Sequence, residues 1–174
     1  MNIVREKEIG TIEQLNVTPI RKQEFIIGKL FPFMVIGMFE LAFGLLLARI
    51  IYDIPVVGSL WLIFAFSFMY LLVVLGIGLF ISTITETQQQ AMFISWFFMV
   101  IFILMSGLFT PIENMPVWAQ NITYFNPVRY FIEVMRMVML KGSNFYQVKL
   151  HFLIVAIYGL AILGLATWRY QKTT

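Results

Sequence analysis

Cysteine is absent from the 174-residue sequence, and charged residues make up only 12% of it. The first absence excludes disulfide bonds, thiolate metal ligands and cysteine nucleophiles. The low share of charged residues is unusual, because about a quarter of the residues of a soluble domain are charged. Since 60% of the residues are apolar, there is more apolar surface than so short a chain can bury in a core of its own. The sequence therefore predicts an integral membrane protein with lipid as its solvent.

Catalytic and nucleotide-binding signatures are also missing from the sequence. His151 is the only histidine and the carboxylates are scattered, so no metal site or catalytic dyad can be assembled. The nearest approach to a phosphate-binding loop, Gly28-Lys29-Leu30, lacks the glycine spacing and the hydroxyl of G-x-x-x-x-G-K-[ST]. Lys and Arg flank apolar runs instead of gathering on one polar face, which argues against nucleic-acid binding. We therefore expect neither an enzyme nor a bound cofactor.

Four apolar stretches are long enough to cross a hydrocarbon core of roughly 30 Å at about 1.5 Å per residue. They cover about residues 30–51, 60–82, 91–109 and 152–168, and the last is the shortest. The predicted fold class is all-α, a polytopic membrane protein with four transmembrane helices. A cytoplasmic segment, residues 1–29, precedes a transmembrane domain, residues 30–174.

The distribution of basic residues predicts the orientation of these spans. Basic residues are densest before the first span and after the last, at Arg5, Lys7, Arg21, Lys22, Lys29, Arg169 and Lys172. The positive-inside rule therefore places both termini in the cytoplasm, which four spans permit. One region argues against this assignment, because residues 110–151 would lie outside and contain Arg129, Arg136, Lys141 and Lys149. The density of basic residues there is lower than in the two terminal segments. The predicted location is the cytoplasmic membrane.

The cytoplasmic segment contains a short amphipathic pattern. Its apolar residues recur three apart, at Ile9, Ile12 and Leu15. Glu6 and Glu13 lie off this face, and Thr11 and Gln14 have the spacing of a capping box. Two interpretations stay open. The helix lies on the lipid headgroups, or it docks onto a cytoplasmic partner.

The segment between the last two spans is broken by Pro111, Pro116 and Pro127 but remains rich in aromatic residues. After Asn126, an apolar helix pattern runs over residues 128–140, which is too short to span a bilayer. Backbone that leaves a helix at membrane depth is tolerated only against protein or a water-filled cavity. We therefore predict re-entrant or interfacial helices over about residues 116–140, on the outer side.

Three charged residues share one face of this short helix. Arg129, Glu133 and Arg136 are four and three residues apart, which is the spacing of ion pairs on a helix. They either pair with each other at the outer surface or line the outer gate of a translocation pathway. The sequence leaves both interpretations open.

Glu40 lies near the middle of the first span, where a charge costs roughly 2.5 kcal/mol or more on insertion scales. Small residues suited to close helix packing share its face, namely Gly37, Gly44 and Ala48. We expect Glu40 to face protein or a cavity rather than lipid, either within a packed surface or on the translocation pathway. Arg49 and Asp53, four apart, are predicted to pair at the outer interface, and His151 is predicted to be interfacial.

Three sequence blocks carry a family resemblance. The first is REKEIGTIEQL at residues 5–15, followed by VTPI, and it resembles the E-x-G-T-x-E-Q-L-x-V-T-P segment of ABC-2 type transporter permeases. The second is SGLFTPIENMP at residues 106–116, and the third is NPVRYF at residues 126–131 with Glu133, Arg136 and Lys141-Gly142. Both are similar to the same family. The blocks occur in order between apolar spans, and the nearest resemblance is to the bacterial drug-exporter-like branch.

The resemblance implies a role for each block. In that family the E-Q-L segment is a coupling helix that rests on the ATPase subunit. The implied coupling residues are Glu6, Glu8, Ile9, Thr11, Ile12, Glu13, Gln14 and Leu15. The segment between the last two spans forms a pair of re-entrant helices on the outer side, here about residues 116–140. The implied function is the permease subunit of an ATP-driven exporter in the bacterial cytoplasmic membrane. It is expected to act with a second permease subunit, in a homo- or heterodimer, and with two ATPase subunits that hydrolyse the ATP.

Family members have six spans. Two of these spans and an external domain precede the coupling helix. This chain begins close to the coupling segment, so it resembles the C-terminal half of a permease. The substrate is not specified, since an interior rich in aromatic residues and Met suits lipids, drugs and antibiotic peptides alike. The alternative is a secondary transporter or channel subunit that uses Glu40 as a proton or ion carrier without an ATPase. A membrane-embedded enzyme is disfavoured, because convergent nucleophile, base or metal ligands are missing.

Overall fold

A computed structural model of the protein describes residues 4–5 and 22–169. From residue 22 onwards its regular elements are helices, with one short 3-10 helix, Ile112–Asn114. They are α1 (Lys22–Tyr52), α2 (Leu60–Ile84), α3 (Gln88–Leu104), α4 (Val117–Thr123), α5 (Pro127–Met139) and α6 (Phe145–Arg169). The all-α prediction is confirmed for this part of the chain, which contains no strand.

Three helices are long and apolar enough to cross a membrane, over Ile26–Tyr52, Leu60–Ile84 and Phe145–Arg169. They correspond to the spans predicted over residues 30–51, 60–82 and 152–168. The prediction that the last span is the shortest is wrong, because α6 begins at Phe145 and has 25 residues, as many as α2. Polar residues in its first turns, Lys149 and His151 among them, interrupt the apolar run that defined the prediction.

The span predicted over residues 91–109 is also corrected. Helix α3 has 17 residues and ends at Leu104, so it is about 25 Å long at 1.5 Å per residue, short of a core of roughly 30 Å. The apolar run continues past this point, but the Ser106 hydroxyl donates to Ile103 O at 2.6 Å and Gly107 adopts a φ of +81°. These features turn the chain away from the helix axis. A fourth crossing by α3 therefore stays a prediction.

Helix α2 lies at the centre of the bundle, and its main partner is α6, which runs in the same direction. The two helices approach closely at glycines. A Cβ atom at Gly76 would lie 2.9 Å from Ile162 Cγ2, and one at Gly159 would lie 3.4 Å from Val73 Cγ2. The core combines buried residues of α2, α5 and α6, namely Ile63, Phe66, Val73, Tyr130, Val134, Val138, Val148 and Val155.

Helices α4 and α5 form a hairpin whose turn reaches deep into the bundle. The Tyr158 hydroxyl, near the middle of α6, donates to Phe125 O in the turn at 3.1 Å. At the other end of α5, Val57 N donates to Met139 O at 3.0 Å, beside the start of α2. Helix α5 therefore runs antiparallel to α2 and α6, from the middle of the bundle back to the end at which both of these helices begin.

Helix α1 packs mainly on α2 and leaves most of its apolar surface uncovered. Its closest approach is at Gly37, where a Cβ atom would lie 2.9 Å from Leu71 Cδ2. Phe39, Phe43 and Ile50 are more than half exposed, and the rings of Phe39 and Phe43 stack on each other. This surface requires lipid or another subunit to cover it.

Single cysteines test the orientation, because the chain has none of its own. We expect Asn144→Cys, in the exposed connection before α6, to react in intact cells with a membrane-impermeant maleimide. Glu86→Cys, in the exposed connection between α2 and α3, should react only after the cells are permeabilised. Labelling is read by a gel shift, with the unsubstituted chain as control. If both positions react in intact cells, α3 does not cross the membrane.

Candidate functional site

Polar side chains from α4, α5 and α6 meet beside the turn between α4 and α5. We call this group the hairpin cluster, and it comprises Thr123, Tyr124, Arg129, Tyr130, Glu133 and His151. Charged and hydrogen-bonding groups are costly inside an apolar bundle unless they are partnered. Each of these residues has at least one partner in the cluster.

Glu133 is the centre of the cluster. Its Oε1 atom lies 3.5 Å from Arg129 Nε, and its Oε2 atom lies 3.1 Å from His151 Nε2. The contact with Arg129 is an ion pair without hydrogen-bond geometry, whereas the contact with His151 is a hydrogen bond. An ionised carboxylate only accepts hydrogen bonds, so a His151 that carries a proton on Nε2 is the donor in this contact. Glu133 therefore joins α5 to α6.

Arg129 holds the two ends of the hairpin turn together. Its Nη1 atom donates to Thr123 Oγ1 at 2.6 Å, and its guanidinium lies 4.6 Å from the centre of the Tyr124 ring. Only 15% of the Arg129 side chain is exposed. A cation over an aromatic ring contributes about 2 kcal/mol when it is desolvated. One side chain of α5 thus binds the end of α4 by two different interactions.

Tyr130 satisfies a backbone group of the same turn. Its hydroxyl donates to Tyr124 O at 2.8 Å, and its ring stands edge-on to His151 with centroids 6.2 Å apart. This bond satisfies the Tyr124 carbonyl, which belongs to the turn between α4 and α5.

Asn126 fixes the start of α5 and connects it to α3. Its Oδ1 atom accepts from Val128 N at 3.0 Å, and its Nδ2 atom donates to Phe102 O at 2.7 Å. Only 2% of this residue is exposed. Pro127 follows at the first helical position, where a missing N–H is tolerated. The Asn-Pro pair thus both starts α5 and holds it against the end of α3.

The predicted stripe of three charges is only partly confirmed. Arg129 and Glu133 pair as expected, but Arg136 turns away and its Nη2 atom donates to Gly107 O at 3.2 Å. The interpretation in which all three residues pair with each other is therefore wrong, and the other interpretation, an outer gate, stays a prediction. The second oxygen of Glu133 contacts His151, a residue of another helix, instead of Arg136.

The sequence interpretation did not foresee the contact of His151 with α5. Its side chain is 20% exposed and turns toward that helix. Its position at the membrane interface stays a prediction. Its Nδ1 atom is buried and has no hydrogen-bond partner within the described residues. The helical period indicates that His151 lies on the buried face of α6, because it is three residues after Val148 and four before Val155, and both valines are buried. That period was hidden because the predicted span began after His151.

Glu40 occupies an exposed position on α1, and none of the described residues forms an ion pair or hydrogen bond with it. Gly44, one turn later, also borders open space, because a Cβ atom there would meet no atom within 4 Å. Gly37 of the predicted small-residue face does pack inside the chain, against Leu71. The expectation that Glu40 faces protein therefore requires a surface from another subunit.

The remaining predicted residues separate into two groups. Arg49 and Asp53 pair at 3.4 Å as expected, but their side chains are 60% and 91% exposed, so the pair contributes little to stability. The coupling residues Glu6, Glu8, Ile9, Thr11, Ile12, Glu13, Gln14 and Leu15 lie outside the described residues. Among the residues that the structure does describe, no group of three or more His, Asp or Glu side chains is placed to hold a metal ion.

The family model for ABC-2 type transporters matches residues 1–140. The chain belongs to the ABC-2 type transporter family. It is 39% identical over 144 residues to the probable multidrug ABC transporter permease YbhR of Escherichia coli, a match that covers 83% of this chain. It is 33% identical to the probable multidrug ABC transporter permease YbhS of Escherichia coli, over 98% of this chain. It is 27% identical to the inner membrane transport permease YhhJ of Escherichia coli, also over 98% of this chain.

The match covers 39% of YbhR, 45% of YbhS and 46% of YhhJ. The chain thus spans less than half the length of these relatives. No solved structure matches it at a significant level. The region matched by the family model, residues 1–140, contains the hairpin turn and α5, and therefore the Arg129–Glu133 pair. His151, which contacts Glu133, lies outside the matched region.

The two Arg–acid pairs allow a matched comparison, because both are four residues apart on a helix or its end. We expect Glu133→Gln to lower stability by about 1–2 kcal/mol, since it removes the partner of a mostly buried Arg129. Asp53→Asn, at the exposed pair, should stay within about 0.5 kcal/mol of the unsubstituted chain. Thermal unfolding of the purified protein in detergent measures both. Equal shifts would mean that the hairpin cluster behaves as solvated surface.

Asn126 has two functions that substitution can separate. Asn126→Ala removes both the helix cap and the bond to Phe102 O, and we expect a loss of about 2 kcal/mol. Asn126→Ser keeps a capping hydroxyl but is too short to reach Phe102, so it should recover roughly half of that loss. Melting temperatures should therefore fall in the order Asn, Ser, Ala. If Ser and Ala are equally destabilised, the cap contributes nothing and the contact with α3 accounts for the whole effect.

Proposed function

We propose that the chain is the transmembrane permease subunit, in its C-terminal half, of an ATP-driven ABC exporter in the bacterial cytoplasmic membrane. It carries a hydrophobic or amphipathic substrate out of the cytoplasm or the membrane, and a separate ATPase subunit hydrolyses the ATP. Membership of the ABC-2 family and the similarity to two probable multidrug ABC transporter permeases support this proposal. The structure adds three helices of spanning length.

The observation that carries the proposal is the depth of the α4–α5 hairpin. Its turn lies beside the middle of α6, and the turn carbonyls of Tyr124 and Phe125 accept hydrogen bonds from Tyr130 and Tyr158. Such non-helical backbone is tolerated at membrane depth only where protein or a water-filled cavity surrounds it. In the proposed exporter, the hairpin is the re-entrant helix pair on the outer side.

The charged residues of the hairpin are proposed to form the outer gate. Glu133 connects α5 to α6 through His151, and Arg136 connects α5 to the turn after α3 through Gly107 O. A displacement of α5 away from α6 would break the first contact, and a displacement away from the turn after α3 would break the second. Arg129 keeps the two sides of the hairpin together, so we expect the hairpin to move as one unit.

Residues 6–15 are proposed to couple the permease to its ATPase. An amphipathic helix with apolar residues three apart can seat in a groove of a partner, and its acidic residues then fix the register. The following helix, α1, is continuous from Lys22 to Tyr52. A displacement at the ATPase can thus be carried along one helix to the far side of the bundle.

A second permease subunit is proposed to cover the open face of α1. Glu40 lies on this face without a partner from the described residues, and apolar side chains surround it. A partner surface that pairs with or hydrogen-bonds Glu40 would lower the cost of its position in the membrane. The alternative, a secondary transporter or channel that uses Glu40 as a carrier, is less well supported, because Glu40 lines none of the cavities described for the bundle.

The coupling proposal is tested by replacing Ile12 and Leu15 with Asp. We expect the ATPase to stop co-purifying with the permease, because two charges would have to enter an apolar groove. The matched control is Ile12→Val with Leu15→Met, which keeps the face apolar. Maleimide labelling at Asn144→Cys shows whether each variant still inserts. If the ATPase co-purifies with the Asp variant, residues 6–15 are only a helix at the lipid headgroups.

A further inference from the structure

A groove of about 640 Å³ lies between α1, the connection that follows it and the start of α2. We call it the lateral groove. Its lining is apolar except at Arg49, and its volume lies within the range of about 300–1,000 Å³ that is typical of small-molecule sites. Three of the residues that line it, Leu46, Ile50 and Leu60, are at least half exposed. The groove therefore opens sideways from the bundle, toward the bilayer.

The lateral groove lies on the side of α1 that faces away from Glu40. Arg49 is nine residues after Glu40, so the two side chains are about 180° apart around the helix at 3.6 residues per turn. Ala42, which also lines the groove, is about 160° from Glu40. A second permease subunit that covers the Glu40 face would therefore leave this groove open.

Polar and apolar groups follow each other along the groove in the order that they have in a membrane lipid. Arg49 is in the last turn of α1, whereas Leu45 and Ala42 lie about 6 and 10 Å earlier along the helix axis, toward its middle. On α2, Leu60 is the first residue and Phe64 lies one turn farther in. A headgroup at Arg49 would therefore place a hydrocarbon chain against the apolar lining.

Two exposed charges of opposite sign stand at the polar end of the groove. Arg49 Nη1 lies 3.4 Å from Asp53 Oδ1. Ile54 N donates to Ala48 O at 3.2 Å, and Asp53, just before Ile54, adopts a φ of +49°. This turn ends α1 and holds the carboxylate beside the guanidinium. A guanidinium has five N–H donors and a carboxylate has two acceptor oxygens, so the pair leaves donors and acceptors for a ligand.

The paired charges favour a ligand that carries both signs. An anion alone would meet the Asp53 carboxylate, and a cation alone would meet the Arg49 guanidinium. A zwitterion satisfies both, because its phosphate accepts from Arg49 and its ammonium donates to Asp53. A primary ammonium has three N–H donors, whereas a quaternary ammonium has none. The favoured headgroup is therefore phosphoethanolamine rather than phosphocholine.

We propose that the lateral groove binds a phospholipid with an ethanolamine headgroup. Its phosphate contacts Arg49, its ammonium contacts Asp53, and one acyl chain lies along the apolar lining. The lipid fills the space that opens between α1 and α2 beyond their contact at Gly37. This inference concerns the bilayer around the chain and does not depend on the exporter function proposed above.

Four substitutions separate the parts of the site. Asp53→Asn removes the carboxylate and keeps the shape of the side chain, at a position where we expect little change in stability. Arg49→Gln removes the charge that faces the phosphate. Ala42→Phe fills part of the groove. Ala65→Phe adds the same ring at an exposed position of α2 outside the lining, and it is the matched control.

The test uses the chain reconstituted in phosphatidylcholine vesicles that contain a trace of phospholipid with a photoactivatable diazirine in one acyl chain. Ethanolamine and choline forms with identical chains are compared, and labelled positions are identified by mass spectrometry. In the unsubstituted chain and in Ala65→Phe, the ethanolamine form should label the groove about tenfold more than the choline form. Asp53→Asn should remove this preference. Arg49→Gln and Ala42→Phe should each lower the label from both forms about tenfold.

Equal labelling of the groove by the two forms would overturn the proposal, as would a preference that survives in Asp53→Asn. Equal labelling of Ala42→Phe and Ala65→Phe would also contradict it, because the label would then not depend on the groove. If the lining of the unsubstituted chain takes no label, another segment or subunit covers the groove and the proposal is wrong. The vesicles contain no ATPase, so a failure of the coupling experiment would contradict the proposed function and leave this result unchanged.

Discussion

The backbone of the turn between α4 and α5 must find all of its hydrogen-bond partners within the protein, and the rest of the structure depends on this constraint. Tyr130 donates to Tyr124 O, and Tyr158 of α6 donates to Phe125 O. Asn126 caps α5 and donates to Phe102 O at the end of α3. These bonds allow the chain to reverse beside the middle of α6. They also fix α5 where its apolar face completes the core with α2 and α6.

The polar groups of the bundle are divided between its two ends. At one end, each residue of the hairpin cluster has a partner and Glu133 is shared between Arg129 and His151, although His151 Nδ1 has no hydrogen-bond partner within the described residues. At the other end, Ser82 of α2 is 3% exposed, and its hydroxyl has no partner within the described residues. Between the ends, α2 and α6 approach closely at Gly76 and Gly159. A packed core therefore lies between the two ends of the bundle.

Much of the fold and part of the site could be predicted from the sequence, because they depend on local pattern. Helix α2 and the greater part of α1 and α6 follow from runs of apolar residues, and the start of α5 follows from Asn126-Pro127. The pairs Arg49–Asp53 and Arg129–Glu133 follow from a spacing of four residues on a helix. Apolarity alone does not fix helix ends, so the end of α3 and the start of α6 were misplaced.

Only the tertiary structure decided which distant residues meet. His151 contacts Glu133 across 18 residues of sequence, Asn126 contacts Phe102 across 24, and Arg136 contacts Gly107 across 29. Helical period shows which face of a helix is apolar, but it does not give the register or the direction of the neighbouring helix. The sequence by itself determined that the chain is helical, apolar and a member of its family. The packing of α5 against α6 determined that Glu133 pairs with a histidine instead of with Arg136.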